Sequence, residues 1–384
     1  MSSTKRLAPP RRRPATSDAA VDRASAILEI DLGAIQRNWR MLQGKVGKAV
    51  QCAAVVKADG YGLGAAPVAK ALAAAGCKTF FVATLDEGLA LRETLKSAEI
   101  AVLNGLLPRT ESEVLRARLI PVLNDLGQLD IWRKLVLPMK QRPNAILHLD
   151  TGLSRLGLSR AETQVLIGEP ERLAGVALRA IISHLVIAED PKHGKNAEQR
   201  RLFLAARRKL PPAPASLSAS SGIFLGPDFH FDMVRAGAAL YGINPLTDQL
   251  NPMSQVIHIK GKILQVRDVD RGETVGYGAE HRMDRGGRIA TVAVGYADGW
   301  FRSSKNRAMA SIAGRQVPVV GRISMDVMTV DVTTLDPGLV QVGAFVDLID
   351  AKNPVDVVGA RAGTIGYEVL TALGRRYHRV YTGL

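Results

Sequence analysis

Lys57 closes the apolar run CAAVV and opens the turn ADGYG. That is a poor setting for a charge that needs only water. Partial desolvation lowers the pKa of an amine and favours its neutral, nucleophilic form, so this lysine can form a Schiff base with a carbonyl compound. Taken alone, the residue gives at least equal weight to an ion pair with Asp59 or another carboxylate. Further polar groups stand at or just beyond the ends of other apolar runs: Arg155 in LDTGLSRLG, His184 in AIISHL, Ser220 and Ser221 in SASSG, and Arg235 in DMVRAG. The stretches SASSGIFLG and RAGAALYG also supply small residues whose backbone N–H groups could cradle a phosphate, as happens after the seventh and eighth strands of many barrels. Such turns often serve backbone geometry alone. Their position is what gives them weight here.

The elements needed to hold these groups are legible. From about residue 50, short apolar runs alternate with amphipathic helical stretches, the pattern of a parallel sheet with crossover helices. The runs are Cys52–Ala58, Phe80–Thr84, Ile100–Gly105, Leu119–Leu123, Ala145–Asp150, Ala180–Leu185, Ser216–Ser220 and Asp232–Gly237. About eight parallel strands predict an α/β fold with an N-terminal (β/α)8 TIM-like barrel, and barrels place their chemistry at the C-terminal strand ends. After Tyr241, alternating stretches such as SQVIHIKGKILQVRDV and RQVPVVGRISMDVMTVDV predict a mostly β C-terminal domain with little helix. The expected division is a basic head over 1–25, a barrel segment over 26–245 and a β domain over 246–384. The strand AILEID, ahead of the barrel, is expected to pack with the β domain.

Composition removes several function classes. A length of 384 residues suggests two domains, and a hydrophobic share of 47% is ample for a folded interior. No apolar run approaches a membrane span, and MSSTKRLAPPRRRPATSD lacks the apolar core of a secretory signal, so a soluble cytoplasmic protein is expected. Cys52 and Cys77 read as buried thiols rather than a disulfide. The net charge of +15 is partly local, in Lys5, Arg6, Arg11, Arg12, Arg13 and Arg23 of a head that reads as disordered. With aromatics at 5% and no nucleic-acid motif, a solvated basic surface is expected and no nucleic-acid or membrane partner. No metal site is expected.

Together VVKADGYGLG, LDTGLSRLGL, MVRAGAALYGI, VGYGAE, VGYADGW and VGRISMDVM resemble the alanine racemase family, from about Ile27 to Tyr381. The resemblance implies a homodimer that carries pyridoxal 5′-phosphate (PLP) on Lys57 as an internal aldimine and forms D-alanine from L-alanine through an external one. Tyr61, Ser221, Gly237 and Tyr367 match residues that hold the cofactor phosphate, with Ser220 beside them. Arg235 matches a contact to the pyridine nitrogen, and His184 a residue that packs on the ring and links Arg235 to a tyrosine. That tyrosine is matched by Tyr277, the second acid/base, which the family takes from the partner subunit. Arg155 and the backbone at Met325 match groups that bind the substrate carboxylate, and Tyr296 and Asp326 match residues at the mouth of the site.

Racemisation removes a proton from one face and returns it to the other, which requires two groups on opposite sides. A phenol of ordinary pKa, about 10, is a poor base, so cations near it are needed. A guanidinium cannot readily donate a proton, so Arg235 implies an unprotonated pyridine nitrogen, a weaker electron sink and little transamination. Each residue also has a plainer reading: Tyr277 as a cross-strand aromatic, Met325 as core, His184 as a satisfied buried histidine, Arg155 as a surface cation. Their occurrence in family order outweighs these. One position departs, because many members carry a carbamylated lysine where this chain has His148, and an imidazole cannot become a carbamate. The rivals are a serine or broader-specificity racemase, a PLP-dependent decarboxylase and a non-catalytic PLP-binding protein. The decarboxylases place an acidic residue where Arg235 stands, and the non-catalytic proteins have the barrel alone.

Overall fold

The computed structural model describes residues 19–246 and 248–384. Lys5, Arg6, Arg11, Arg12 and Arg13 of the expected head lie outside the described residues, whereas Arg23 ends a short helix, Ala19–Arg23. The amine of Lys262 donates to the carbonyls of Val21 and Asp22 in that helix, at 3.2 and 2.6 Å.

The first described strand, β1 (Ala26–Asp31), lies in the sheet of the β domain, as its sequence suggested. It pairs antiparallel with β10 and parallel with β18, defined below. The barrel follows as β2 (Gln51–Val55), β3 (Thr79–Val82), β4 (Glu99–Val102), β5 (Ile120–Leu123), β6 (Asn144–His148), β7 (Ala177–Ile182), β8 (Ala215–Ser216) and β9 (Met233–Ala236). These eight strands pair in parallel in the order β8-β7-β6-β5-β4-β3-β2-β9, and a bridge between Ala219 and Arg235 closes the ring. Parallel strands are covered on both faces and must be apolar throughout. Every residue of β3, β5 and β9 is buried, and Arg235 is the one charge among them.

β8 is far shorter than the run Ser216–Ser220 suggested. Beyond it, among the described residues, pairing continues only with β9: Arg235 N–H bonds to the Ser218 carbonyl at 2.9 Å, and the Arg235 guanidinium takes the carbonyls of Ser216 and Leu217.

The second sheet contains β10 (Ile257–Val269), β13 (Gly287–Val292), β14 (Met309–Ile312), β15 (Arg315–Val320), β16 (Met328–Asp331), β17 (Phe345–Ile349) and β18 (His378–Thr382), with β1 between β10 and β18. The intervening β11 (Thr274–Val275) and β12 (His281–Arg282) form a separate hairpin that carries Tyr277 at its tip. Two helices that were not foreseen, Val355–Ala362 and Gly366–Ala372, interrupt this domain. Gly359 and Gly363 weaken the helical signal of VDVVGARAG, but burial of Val355, Val358 and Ala362 on one face supplies what propensity lacks. Among the described residues no helix is long and apolar enough to cross a membrane. Cys52 and Cys77 are buried free thiols, and burial pushes Cys77 up to about 12.

Candidate active site

Lys57 follows β2 and enters a turn of left-handed helix. Ala58 (φ 53°), Asp59 (φ 52°), Gly60 (φ 63°), Tyr61 (φ 54°) and Gly62 (φ 80°) all take positive φ. Three of these are not glycine, and each costs roughly 1–2 kcal/mol in this region. The turn persists because its surroundings over-determine it. Gly60 N–H bonds to Val56 O at 2.9 Å, Gly62 N–H to Ala58 O at 2.7 Å and Gly64 N–H to Asp59 O at 2.8 Å. The Glu87 carboxylate accepts from Ala58 N–H at 2.7 Å. From the C-terminal domain, Arg379 donates to Gly62 O at 2.7 Å and Tyr381 to Leu63 O at 2.9 Å. A Cβ at Gly62 would collide with the Leu370 carbonyl of the helix packed against the turn.

The ion pair weighed for Lys57 is not made with Asp59. That carboxylate caps Ala65 N–H at 2.8 Å, and Lys57 has no carboxylate within salt-bridge range among the described residues. Burial lowers the pKa of its amine, Arg155 lowers it further, and Glu87 partly opposes both. The neutral nucleophile is thereby favoured.

Arg235 is 4% exposed and, among the described residues, has no carboxylate partner. Its Nη1 bonds to Ser216 O (3.0 Å) and Oγ (2.5 Å), and its Nη2 to Ser183 O (2.6 Å). Burial lowers its pKa to about 10, still a cation at neutral pH. Its Nη2 lies 3.4 Å from His184 Nδ1. A guanidinium only donates, so this nitrogen accepts and the hydrogen of a neutral ring sits on Nε2. The ring is neutral, because burial first, then Arg235, Arg155, His148 and Lys57, lowers its pKa to about 3.

His148 adopts the opposite tautomer. The Asn124 amide nitrogen donates to Leu103 O and Val122 O at 2.9 and 3.0 Å, which turns its oxygen toward His148 Nδ1 at 2.8 Å. Nδ1 therefore carries the hydrogen and Nε2 is an acceptor. Burial, then Arg235, lowers this ring to about 4, with Arg155 acting in the same sense.

A small cradle lies beside Lys57. The Tyr61 ring stacks on Tyr241 at 4.4 Å and is tilted against Tyr367 at 6.3 Å. A Cβ at Gly237 would stand 2.5 Å from the Tyr61 hydroxyl, so that position must stay open. Ser220 Oγ accepts from Gly237 N–H at 3.0 Å and Ala239 N–H at 3.2 Å, with Ser221 next in the chain. The phenols of Tyr61 and Tyr367 and the hydroxyls of Ser220 and Ser221 are a donor set suited to a phosphate. The unpaired lysine and the guanidinium complete a fit to PLP.

The β domain presents a different surface. Tyr277 is 71% exposed and Met325 53% exposed, which removes the cross-strand and core readings, and Tyr296 and Asp326 are exposed beside them. The Tyr277 tip is braced by Glu280, which pairs with Arg322 and, at 2.6 Å, with Lys305. Met325 O accepts from Ala297 N–H at 2.9 Å and Ser324 O from Tyr296 N–H at 3.0 Å, while Met325 N–H donates to no group among the described residues. No hydrogen bond, ion pair or ring contact among the described residues joins this face to Lys57, Arg155 or Arg235. The fold therefore gathers Lys57, Tyr61, His184, Ser220, Ser221, Arg235, Gly237 and Tyr367, with Arg155 near enough to act on Lys57. It leaves Tyr277, Tyr296, Met325 and Asp326 apart from them.

Glu87, Asn124 and Tyr241 were missed in the sequence. Two signals were present: Thr84-x-x-Glu87 is a capping box, formed here as such, and Asn124 directly follows the run LIPVL.

A lysine without an acidic partner at the C-terminal mouth of a (β/α)8 barrel, joined to a β domain, defines a barrel enzyme of the Schiff-base type. Comparison with known families narrows this. Residues 30–245 match the family model described as alanine racemase, N-terminal domain, and residues 256–381 the model described as alanine racemase, C-terminal domain. The chain is 49% identical over 364 residues to an alanine racemase of Rhodospirillum rubrum, covering 94% of this chain and 97% of that one. It is 46% identical over 361 residues to a catabolic alanine racemase of Mesorhizobium japonicum, covering 94% of each. A crystal structure of alanine racemase from Bartonella henselae with covalently bound pyridoxal phosphate superposes with a TM-score of 0.90 at 41% identity, covering 94% of this chain and 100% of that one. The chain belongs to the alanine racemase family and is an enzyme of the isomerase class.

Proposed function

We propose that this enzyme interconverts L- and D-alanine as a homodimer, with PLP on Lys57 and with Lys57 and the partner subunit's Tyr277 as the two acid/base groups. The observation that carries the reading is the pairing of an acid-free Lys57 with an acid-free, buried Arg235 at one barrel mouth. When bound, PLP supplies the carbonyl that takes the substrate amine and the conjugated ring that receives the electron pair left by the departing α-proton. Tyr61, Tyr367, Ser221 and the backbone around Gly237 would hold its phosphate, and Arg235 its pyridine nitrogen. Because Arg235 cannot give up a proton easily, it keeps that nitrogen unprotonated and disfavours transamination, and it argues against the decarboxylase alternative.

Lys57 takes or returns the proton on its own face of the substrate. His184, accepting from Arg235 at Nδ1, offers its Nε2–H to the phenol oxygen of the partner's Tyr277 and so favours the phenolate a base requires. The exposed Tyr277 and the unbonded Met325 N–H are supplied to the other subunit, where Met325 N–H and Arg155 bind the carboxylate. Two tests decide this reading. Borohydride reduction should fix the cofactor, with the mass added at the peptide containing Lys57, and incubation with L-alanine should yield D-alanine by chiral chromatography. Fixation at another lysine, or decarboxylation products, would overturn it.

A further inference from the structure

The segment Gly374–Tyr381 bonds to both halves of the proposed site. One end, through Arg379 and Tyr381, holds the turn after Lys57. The other end holds the Met325 loop. Arg376 forms a bidentate pair with Asp298, Nε to Oδ1 and Nη2 to Oδ2, both at 2.7 Å. Its third nitrogen, Nη1, reaches Asp326 Oδ1 at 2.5 Å. Only 5% of the Asp298 side chain is exposed, and it also accepts from Gly295 N–H at 2.9 Å while its own carbonyl accepts from Gly374 N–H at 3.0 Å.

The contacts converge on one peptide. Asp298 fixes the turn Tyr296–Asp298, and that turn bonds to Ser324 O and Met325 O through Tyr296 and Ala297. Gly295 has no room for a Cβ against the Met325 carbonyl, so turn and loop pack in direct contact. With its carbonyl held on one side and Asp326 tied on the other, the Met325–Asp326 stretch has little freedom. The remaining polar group, Met325 N–H, points where the backbone clamp leaves it.

We propose that Arg376 is a positioning residue that aims Met325 N–H at the substrate carboxylate and thereby sets affinity for that group. This rests on the carboxylate role given to Met325 above. A planar fork that bonds two carboxylates at once is specific to arginine, since lysine is a point donor on a flexible stem.

The test uses the holoenzyme with two fragments of alanine. Propionate keeps the carboxylate and lacks the amine, and ethylamine keeps the amine and lacks the carboxylate. In Arg376→Lys, the Kd of propionate by calorimetry should rise about tenfold and the KM for alanine in parallel, with kcat within about threefold. The spectral titration with ethylamine should be unchanged. Asp326→Asn, which cuts one arm and leaves Arg376 on Asp298, should raise the propionate Kd about threefold, and it decides the matter alone if Arg376→Lys does not fold. Failure of propionate to bind the unaltered enzyme would overturn the role of Met325 and this proposal with it. Equal propionate binding in all three proteins, or a matching loss of ethylamine binding, would overturn the role of Arg376 and leave the proposed reaction standing.

Discussion

The barrel mouth and the Tyr277 face are built on opposite principles. Around Lys57 the chain stores strain in a left-handed turn held by bonds from two domains, and within the barrel it buries a guanidinium and holds two imidazoles neutral. The Tyr277 face has a braced backbone and exposed side chains, those of Tyr277, Met325 and Tyr296 among them. In the proposed homodimer a subunit would carry one half-site that is preorganised and another that acquires partners only in the assembly. Changes at the first half should act on cofactor and chemistry within the subunit. Changes at the second should act across subunits.

The largest expected effect is at the barrel mouth. Lys57→Ala removes both the cofactor attachment and one acid/base group, so racemisation should fall by at least about a thousandfold in a chiral assay. Substantial turnover without added amine would sink the assignment. Tyr277→Phe should lower kcat/KM by about a hundredfold or more, equally in both directions because the two enantiomers have equal free energy, while the cofactor spectrum stays that of the unaltered enzyme. The two variants also test the division between halves. Unfolded and refolded as a mixture, they should regain about a quarter of full activity, because about half the dimers are mixed and one of their two sites is intact. No recovery, with mixed dimers confirmed by mass, would place both bases in one subunit.

A smaller effect separates the cradle from the far face. Gly237→Ala puts a methyl against the Tyr61 hydroxyl, and PLP should dissociate about tenfold more readily on dialysis, with propionate binding to the reloaded enzyme little altered. A propionate defect as large as the cofactor defect would mean that the halves are not independent.

The same contrast explains what could be read beforehand. The barrel was legible because each parallel strand is a short apolar run and its chemistry sits where the run ends, as with Lys57, His184 and Arg235. The early end of β8 was not, because SLSAS keeps the same small and apolar texture past the residue where the strand stops. Tyr277 and Met325 are silent in periodicity, since an exposed residue at a hairpin tip has no pattern to obey, and only family order marked them. Arg376 was missed for a related reason: its partners Asp298 and Asp326 are 78 and 50 residues away.

The smallest effect concerns the two neutral imidazoles. His184 and His148 have folded pKa values lowered to about 3 and about 4 by burial and by Arg235, against about 6.5 in an unfolded chain. Between those limits the unfolded state binds more protons than the folded one, so stability is full above about pH 6.5 and is lost as the pH falls. Each histidine contributes a slope of up to about 1.4 kcal/mol per pH unit in that window. His148→Gln should keep a neutral acceptor and donor near Asn124 while removing the His148 proton, so the acid slope of stability by denaturant titration should fall by up to about 1.4 kcal/mol per pH unit between pH 6 and 4.5. An undiminished slope would mean that His148 is protonated in the folded enzyme over this range. Activity should also be indifferent to bicarbonate in both proteins, because an imidazole cannot carry the carbamate that a lysine could carry there. A bicarbonate-dependent rate would assign that anion to another amine at the mouth, and Lys57 would then have to share its half-site with a second reactive lysine.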